Sequence, residues 1–406
     1  MSGLYIVLSE GSYAACLIKL QATDVQTSDI EAKTFTFVPH YNTMSKKGRI
    51  LVAMSGGVDS SVAAVMLHEQ GYEVIGLTMK TWDYATSGTS SKETGCCSLD
   101  SINDARTLAV NYGFPHYILD IRDEFGDYVI DNFVDEYLAG RTPNPCVLCN
   151  THIKWEALLK RANKLDCEFI ATGHYANVRQ HDNGRYVISK GKDENKDQSY
   201  VLWGVSQENL SRTQFPLGSF AKSEIRQMAL DMGQEELAKK SESYEICFVP
   251  DNDYRSFLRH KVENLDERVA GGNFILSNGM VVGQHKGYPF YTIGQRKGLG
   301  IAFGEPMFVT QILPESNTVV LGRADELERR EAMVRNVNLV KYGSITEPMD
   351  NVITKIRYKD AGMLSTIVQE KDKMRVVFDH SVSAIAPGQS AVFYEDNDLL
   401  GGGFLC

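Results

Sequence analysis

RILVAMSGGVDSSVAAVML, residues 49–67, is the stretch that decides the fold. Its opening, residues 50–53, is a short apolar run of the kind that forms a buried strand. Ser55-Gly56-Gly57 makes a turn, and Val58, Val62, Val65 and Met66 then recur at helical spacing. A strand, a glycine turn and a helix together present backbone N–H groups and a helix N-terminus to an anion. The two glycines let a ligand approach the backbone with no side chain in the way. Ser55, Ser60 and Ser61 add hydroxyl donors, and Asp59 is placed either to hold Mg2+ or to order the loop.

The loop lacks the Gly-Lys-Ser/Thr ending of a Walker A motif and the GxGxxG of a dinucleotide fingerprint. SGGVDSS, residues 55–61, instead resembles the pyrophosphate loop of the ATP-pyrophosphatase group. In that group ATP adenylates a substrate oxygen and pyrophosphate leaves. The motif indicates nucleotide chemistry and leaves the substrate open.

Outward from this loop, Gly71 reads as a helix stop, and residues 73–79 as a second strand. Residues 86–94 are rich in Ser, Thr and Gly and read as a mobile loop; residues 104–112 read as helical, and 116–121 as a third strand. A proline-bearing loop is expected over 141–150. The helix after it carries Ile153, Ala157, Leu158, Ala162 and Leu165 on one side, and 169–171 form a fourth strand ending in Thr172-Gly173-His174. Strands alternating with helices predict an α/β doubly wound parallel sheet, with ligands beyond the strand C-terminal ends, where Ser55, Met79 and Gly173 lie. From about residue 253 the texture changes. Residues 271–304 are glycine-rich with short apolar runs and suit a small α+β domain. Short β segments at 352–358, 366–369, 375–378 and 390–394 predict an antiparallel barrel or sandwich at the C-terminus. The expected divisions are 44–252, 253–330 and 331–406, with residues 1–43 an extension outside the fold, since Met44 with Ser-Lys-Lys reads as a fresh start.

A chain of 406 residues with 43% apolar content can build two or three cored domains. A net charge of −10 argues against indiscriminate nucleic-acid binding but permits a local basic groove. No apolar run approaches the ~20 residues that span a bilayer, and no leader pattern opens the chain. The eight cysteines are unevenly spaced and suit reduced thiols of a cytoplasmic protein. No amphipathic helix stands out as a dimer seam, so a monomer is expected.

Cys149 lies in RTPNPCVLCN, residues 141–150, just before the expected helix. A helix N-terminus with His152 and Lys154 nearby would lower its pKa and make it nucleophilic. Cys247, in SYEICF, has no marked surroundings and taken alone suits a buried small hydrophobe. Cys146 and Cys149 form one CxxC pair, too few ligands for a tetrahedral zinc site. With Cys247 they could hold three irons of a four-iron cluster and leave one position open. Cys96-Cys97 reads as structural, and Cys16, Cys167 and Cys406 have no chemical context. His174 is either a turn histidine or a neighbour of the nucleotide. Residues 196–200, KDQSY, read alone as a solvated turn.

Taken in order, the motifs at 55–60, 141–150, 172–175, 196–200 and 291–300 resemble those of the bacterial tRNA-specific 2-thiouridylases of the MnmA type. The resemblance runs from about residue 46 to the C-terminus and includes TIGQRKGLGI, residues 292–301. It implies replacement of O2 of the wobble uridine by sulfur, with ATP and Mg2+ as cofactors. ATP would lie along Ala53, Met54, Ser55, Gly56, Gly57, Val58, Asp59 and Ser60, with its adenine near Met79 and Gly173. Cys247 matches the cysteine that carries sulfur as a persulfide, and Cys149 the nucleophile that pairs with it as a transient disulfide. His174 matches a position near the reacting centre. Asn144, Pro145 and Cys146, with Lys196, Asp197 and Gln198, match segments that contact tRNA around the target base. Arg357, Tyr358 and Gln389 match tRNA-facing barrel positions. Arg296 and Lys297 suit the phosphate backbone. The implied partners are tRNA, with Lys, Glu and Gln acceptors, and a sulfur-relay donor protein.

One departure matters: many relatives carry Asp where this chain has Cys146. Either the persulfide route runs with Cys146 as a tolerated variation, or Cys146, Cys149 and Cys247 hold a four-iron cluster whose open iron carries the sulfur. Two other classes use similar loops or surfaces, a small-molecule ligase or amidotransferase and a non-catalytic RNA-binding protein. The ligase class needs no paired thiols.

Overall fold

The apolar run at the start of the chain's first motif forms β1 (Arg49–Ala53), with Ile50, Leu51 and Val52 fully buried. This computed structural model describes residues 47–82, 98–240, 246–249 and 252–406. The expectations for residues 1–43, for the 86–94 loop and for Cys16, Cys96 and Cys97 lie outside the described residues. β2 (Glu73–Lys80), β3 (His116–Asp120), β4 (Phe169–Thr172) and the short β7 (Thr213–Gln214) complete a parallel sheet in the order β3-β2-β1-β4-β7. The doubly wound sheet is therefore present. Its order reverses at β1, and sheets of this kind bind ligands beyond the strand C-terminal ends at such a point.

α1 (Val58–Glu69) is buried on most of its circumference, as expected for a helix with apolar or small residues all round. Ala64, Val65 and Leu67 pack on Ile50 and Val52 of the sheet, while Val58, Val62 and Ala63 join Leu217 and Ile225 on the other side. α2 (Leu99–Tyr112) begins five residues before the expected 104, because the Ser98 hydroxyl accepts the Ser101 N–H and caps it. Gly113, in the left-handed region, ends it.

The expected loop at 141–150 is shorter. Helical backbone starts at Pro145 and runs through Pro145–Leu148, a wider π turn at Cys149–Lys154, and Trp155–Lys164. Proline is well suited to a first helical position, where its missing N–H would be unpaired anyway. The prolines that marked a loop in the sequence thus open a helix, and Cys149 sits in its second turn rather than ahead of it.

A hairpin of β5 (Ala176–Gln180) and β6 (Tyr186–Lys190) leaves the parallel sheet and joins the C-terminal barrel. Between them in the chain come helix Tyr254–Lys261 and a four-stranded sheet of β8 (Gly272–Leu276), β9 (Val281–His285), β10 (Phe308–Leu313) and β11 (Thr318–Gly322). The barrel holds β12 (Glu328–Leu339), β13 (Met349–Lys355), β14 (Met363–Glu370), β15 (Lys373–Ser383), β16 (Ser390–Glu395) and β17 (Asp398–Leu405), and the β12–β17 pairing closes it. Residues 356–358, expected in a strand, fall in the turn after β13.

Buried Glu136 fastens the barrel to the helical loop. It accepts from Arg141 (2.8 and 2.6 Å) and more distantly from Arg335 of β12 (3.3 Å). A Cβ on Gly388 would meet Glu136 at 2.9 Å and the Thr142 carbonyl at 2.7 Å, so the barrel's backbone lies directly on this pair. Burial alone would raise the Glu136 carboxyl, but Arg141 and then Arg335 outweigh it and hold it below its ordinary 4.5. The sign follows: the contribution is complete above 4.5 and lost as pH falls through the lower folded value. Glu136→Gln is expected to cost about 2 kcal/mol at neutral pH, discounted for the part-exposed guanidiniums. In thermal unfolding the gap from wild type should close at acid pH, where wild type is itself protonated.

Candidate active site

The turn after β1 is held open by small residues and its own hydroxyls. Ser60 Oγ accepts the Ser55 N–H (3.0 Å) and lies 3.2 Å from Ser55 Oγ. Gly56 takes φ +70, and a Cβ there would fall inside the Ser101 carbonyl of α2. Gly57 is the N-cap of α1; a Cβ there would meet nothing nearer than Ser55 Oγ at 3.5 Å. Space beside Gly57 and the first N–H groups of α1 therefore form an anion cradle. Gly173, after β4, completes one wall: a Cβ on it would come 2.8 Å from the Ser60 nitrogen. The sequence-distant Gly173 and the loop thus touch.

Asp59 resolves towards ordering the loop. Both its oxygens lie 2.7 Å from the Nζ of buried Lys222, and Tyr175 donates its hydroxyl to Oδ1 at 2.7 Å. The carboxylate is held by an ammonium and a hydroxyl, and 32% of the side chain remains exposed. Lys240 reaches in from the other side. Its amine donates to the Gly56 carbonyl (3.0 Å) and pairs with Asp104 (2.7 Å). Asp59→Asn strands the Lys222 ammonium and is expected to cost about 3 kcal/mol. Adding Lys222→Met should restore part of the loss in a denaturant titration.

Beyond Gly173, His174 Nδ1 lies 2.8 Å from Thr172 Oγ1, with its ring against Trp155 and Phe215. Solvent reaches an edge of the ring, but the protein crowds it. That crowding, then the Lys154 charge, pushes its pKa down to about 3. His174 is a neutral imidazole at pH 7. Cys146 lies in the same field: it is exposed, yet crowding by the protein pushes the thiol up while Lys154 pulls it down. A thiol held in its protonated form does not replace an ionised Asp as base. Cys149 is buried in a cluster that also holds Phe248, the neighbour of exposed Cys247. Read alone as a buried hydrophobe, Cys247 instead faces solvent. His152 pairs with Glu156 (3.6 Å) and stacks on Tyr128. Among the described residues no three His, Cys, Asp or Glu side chains come together as a metal site.

Three family models match the chain in succession. A tRNA methyl transferase HUP domain covers residues 48–251, a tRNA methyl transferase PRC-barrel domain 256–323, and an aminomethyltransferase β-barrel domain 329–405. The tRNA-specific 2-thiouridylase MnmA of Amoebophilus asiaticus is 65% identical over 360 residues, covering 89% of this chain and 96% of that protein. That of Cytophaga hutchinsonii is 67% identical over 362 residues, covering 89% and 98%. That of Salinibacter ruber is 59% identical over 365 residues, covering 89% and 95%. The chain belongs to the tRNA-specific 2-thiouridylase family.

The remaining residues expected from the thiouridylase resemblance divide into two groups. Arg357 and Tyr358 are exposed. Residues 196–200 are not a solvated turn: Asp197, Ser199 and Tyr200 are buried. Asp197 accepts from the Gly191 and Ser199 N–H groups and the Ser199 hydroxyl. Gln198 accepts the Tyr175 N–H at 2.9 Å, tying this loop to the Gly173 wall. Gln389 donates to the Thr142 and Pro143 carbonyls, and Asn144 to Ser390 Oγ, so both join barrel and helical loop. Met79 is half-buried at the end of β2, and Pro145 is buried. Sequence reading missed Lys222, Tyr175, Lys240 and Glu136, whose partners lie far away in the chain.

Proposed function

We propose that the protein uses ATP to replace the 2-oxygen of the wobble uridine of tRNA by sulfur. The observation that carries this is the continuous line from the anion cradle through Gly173 and His174 to Lys154 and Cys146. It brings phosphate binding and a thiol-bearing helix to one edge of the sheet. Family membership supplies the substrate class.

Ala53–Ser60 would hold ATP, with the phosphates on the α1 N-terminus and the adenine towards Met79 and Gly173; the space beside Gly57 fits a polyphosphate. ATP supplies activation of the uracil C2–O bond, with AMP as the leaving group. Mg2+ would travel with the phosphates. His174, neutral, would act as a hydrogen-bonding group fixed by Thr172 rather than as a charged acid. The activity profile is therefore expected to lack a limb near pH 6.5 from this residue, and His174→Asn to lower kcat without shifting the limbs that exist.

Cys247, exposed, would receive a terminal sulfur from a relay donor and carry it as a persulfide. The persulfide sulfur attacks C2 and AMP departs. The Cys149 thiolate then attacks Sγ of Cys247, leaving sulfur on the base and a Cys149–Cys247 disulfide for an external thiol to reduce. The persulfide route is favoured over the cluster because Cys146, Cys149 and Cys247 do not converge as ligands. Residues 44–252 would perform the chemistry, and 253–330 and 331–406 would hold the tRNA, in a cytoplasmic monomer acting on Lys, Glu and Gln acceptors. Release of AMP and pyrophosphate from ATP should require tRNA with an unmodified wobble uridine. Turnover without tRNA would favour the small-molecule ligase class instead.

A further inference from the structure

Two lysines reach the loop after β1, and their charges are met in different ways. Only 9% of the Lys222 side chain is exposed, and both Asp59 oxygens lie 2.7 Å from its Nζ. A buried pair of this kind is costly to break, so Lys222 belongs to the frame of the loop. Lys240 follows the helix Glu235–Lys239. Its three N–H donors go to the Gly56 carbonyl (3.0 Å), Ser101 Oγ (3.3 Å) and Asp104 Oδ2 (2.7 Å). Here the side chains of both ion-pair partners meet solvent, 33% exposed for Lys240 and 49% for Asp104.

The three acceptors differ in what holds them. The Gly56 carbonyl is backbone of the loop. Ser101 Oγ accepts the Ser98 hydroxyl (2.9 Å) at the start of α2, against which Gly56 packs. Both are parts of the wall. Asp104 lies one turn further along α2 (Leu99–Tyr112), and an ion pair so exposed is weak. Of the three it is the partner that can be exchanged at little cost. The Gly56 carbonyl shares its peptide group with the Gly57 N–H, and beside Gly57 a Cβ would meet nothing nearer than Ser55 Oγ at 3.5 Å. The ammonium therefore lies against the peptide that borders the open part of the cradle. A polyphosphate entering there is attracted by Lys240 and repelled by Asp104, and its oxygens can take the donor that Asp104 holds.

We propose that Lys240 binds the terminal pyrophosphate of ATP, exchanging Asp104 for a phosphate oxygen while it keeps its hold on Gly56 and Ser101. This rests on the ATP-dependent thiolation reading and adds to it a catalytic residue for the adenylation step. In that step the uracil 2-oxygen attacks the α-phosphorus. The bond from that phosphorus to the oxygen bridging to the β-phosphorus breaks, and its electron pair leaves with pyrophosphate. Lys240 stays protonated throughout and faces the charge that the leaving group gains. Asp104 holds the ammonium against the loop until ATP arrives, so the lysine is already ordered when it is needed.

The test is calorimetric titration of ATP, AMP and inorganic pyrophosphate, with Mg2+ at constant ionic strength, into wild type, Lys240→Met, Asp104→Asn and the double variant. Lys240→Met should bind ATP and pyrophosphate roughly tenfold to a hundredfold more weakly, and AMP as wild type does. Asp104→Asn should bind ATP about threefold more tightly, a gain that damage to the fold cannot produce. In the Lys240→Met background the same Asp104→Asn change should be nearly silent, since no ammonium is left to release. Tighter binding by the same factor in both backgrounds overturns the exchange and reduces Asp104 to a general repulsion. Unchanged ATP affinity in Lys240→Met, beside normal wild-type binding, overturns the assignment. An equal fall for AMP and ATP overturns it as well, and marks a role in the shape of the loop. Wild type that binds ATP but releases AMP without tRNA overturns the thiolation reading and leaves the pyrophosphate contact standing. Wild type that binds no ATP overturns both.

Discussion

Cys247→Ser is expected to abolish sulfur transfer, by at least about a thousandfold, while tRNA-dependent release of AMP from ATP continues. A serine oxygen cannot carry a persulfide, so the activated uridine has no sulfur nucleophile and falls to water or waits. Cys149→Ser should lose sulfur transfer nearly as completely but by a different failure. Cys247 still takes up sulfur and its outer sulfur still attacks C2, so a covalent enzyme–tRNA adduct through Cys247 accumulates because nothing attacks Sγ. Measuring the covalent enzyme–tRNA adduct and released AMP on the same samples separates the two, since Cys247→Ser cannot form the adduct. The double variant should be little worse than either single variant, since the two thiols act as a unit. Retained thiolation in Cys247→Ser would remove this residue from the chemistry. Cys247 is exposed, where a donor protein could reach it, and Cys149 is buried in the cluster that holds Phe248.

Gly56→Ala is expected to have the next largest effect. The residue takes φ +70, and the new methyl group would overlap the Ser101 carbonyl, which is backbone and has no rotamer to yield. The turn must shift, and the cradle with it. Backbone strain of about 1–3 kcal/mol adds to the overlap. ATP affinity should fall by roughly a hundredfold or more, well beyond one lost hydrogen bond. Gly173→Ala presses on α1 from the other wall, 2.8 Å from the Ser60 nitrogen, and should weaken ATP binding similarly. Gly57→Ala is the informative contrast. The protein alone has room for that methyl, so melting should be near wild type while ATP binding still suffers, because the open space is the ligand's. Isothermal titration of ATP beside thermal melts resolves the three.

The central motif was legible because its signals are local. An apolar run, a double glycine and a helical period sit within 19 residues, and β1, the turn and α1 (Val58–Glu69) appear where they predict. The placement of Gly173 beside that loop was legible from the strand alternation alone, since parallel strands bring their C-terminal ends to one edge. What stayed hidden depended on distance or on burial. Lys222 looks like any lysine in a first helical turn, and only the fold shows its ammonium between both oxygens of Asp59. Glu136 and Arg335 lie in different domains and have no pattern to link them. Residues 196–200 read as a solvated turn because their composition is polar, yet the polar atoms of Asp197 and Ser199 satisfy one another in the interior. The prolines at 143 and 145 misled for a related reason: proline marks a loop or a helix start equally, and the choice is made by what packs on the next turn. His174 was legible as a position but not as a chemical state. Its low pKa comes from crowding by Trp155 and Phe215 and from Lys154, none adjacent in sequence.

The most direct test of the account is thiolation of unmodified tRNA by protein purified without oxygen, with iron and labile sulfide quantified on the same sample. Wild type is compared with Cys146→Ala, Cys146→Asp, Cys149→Ser and Cys247→Ser, using ATP and a persulfide donor. Iron-free wild type and both Cys146 variants are expected to yield 2-thiouridine, with none from Cys149→Ser or Cys247→Ser. Activity that rises with bound iron and requires all three cysteines would contradict this, and would turn Cys149 and Cys247 from sulfur carriers into cluster ligands.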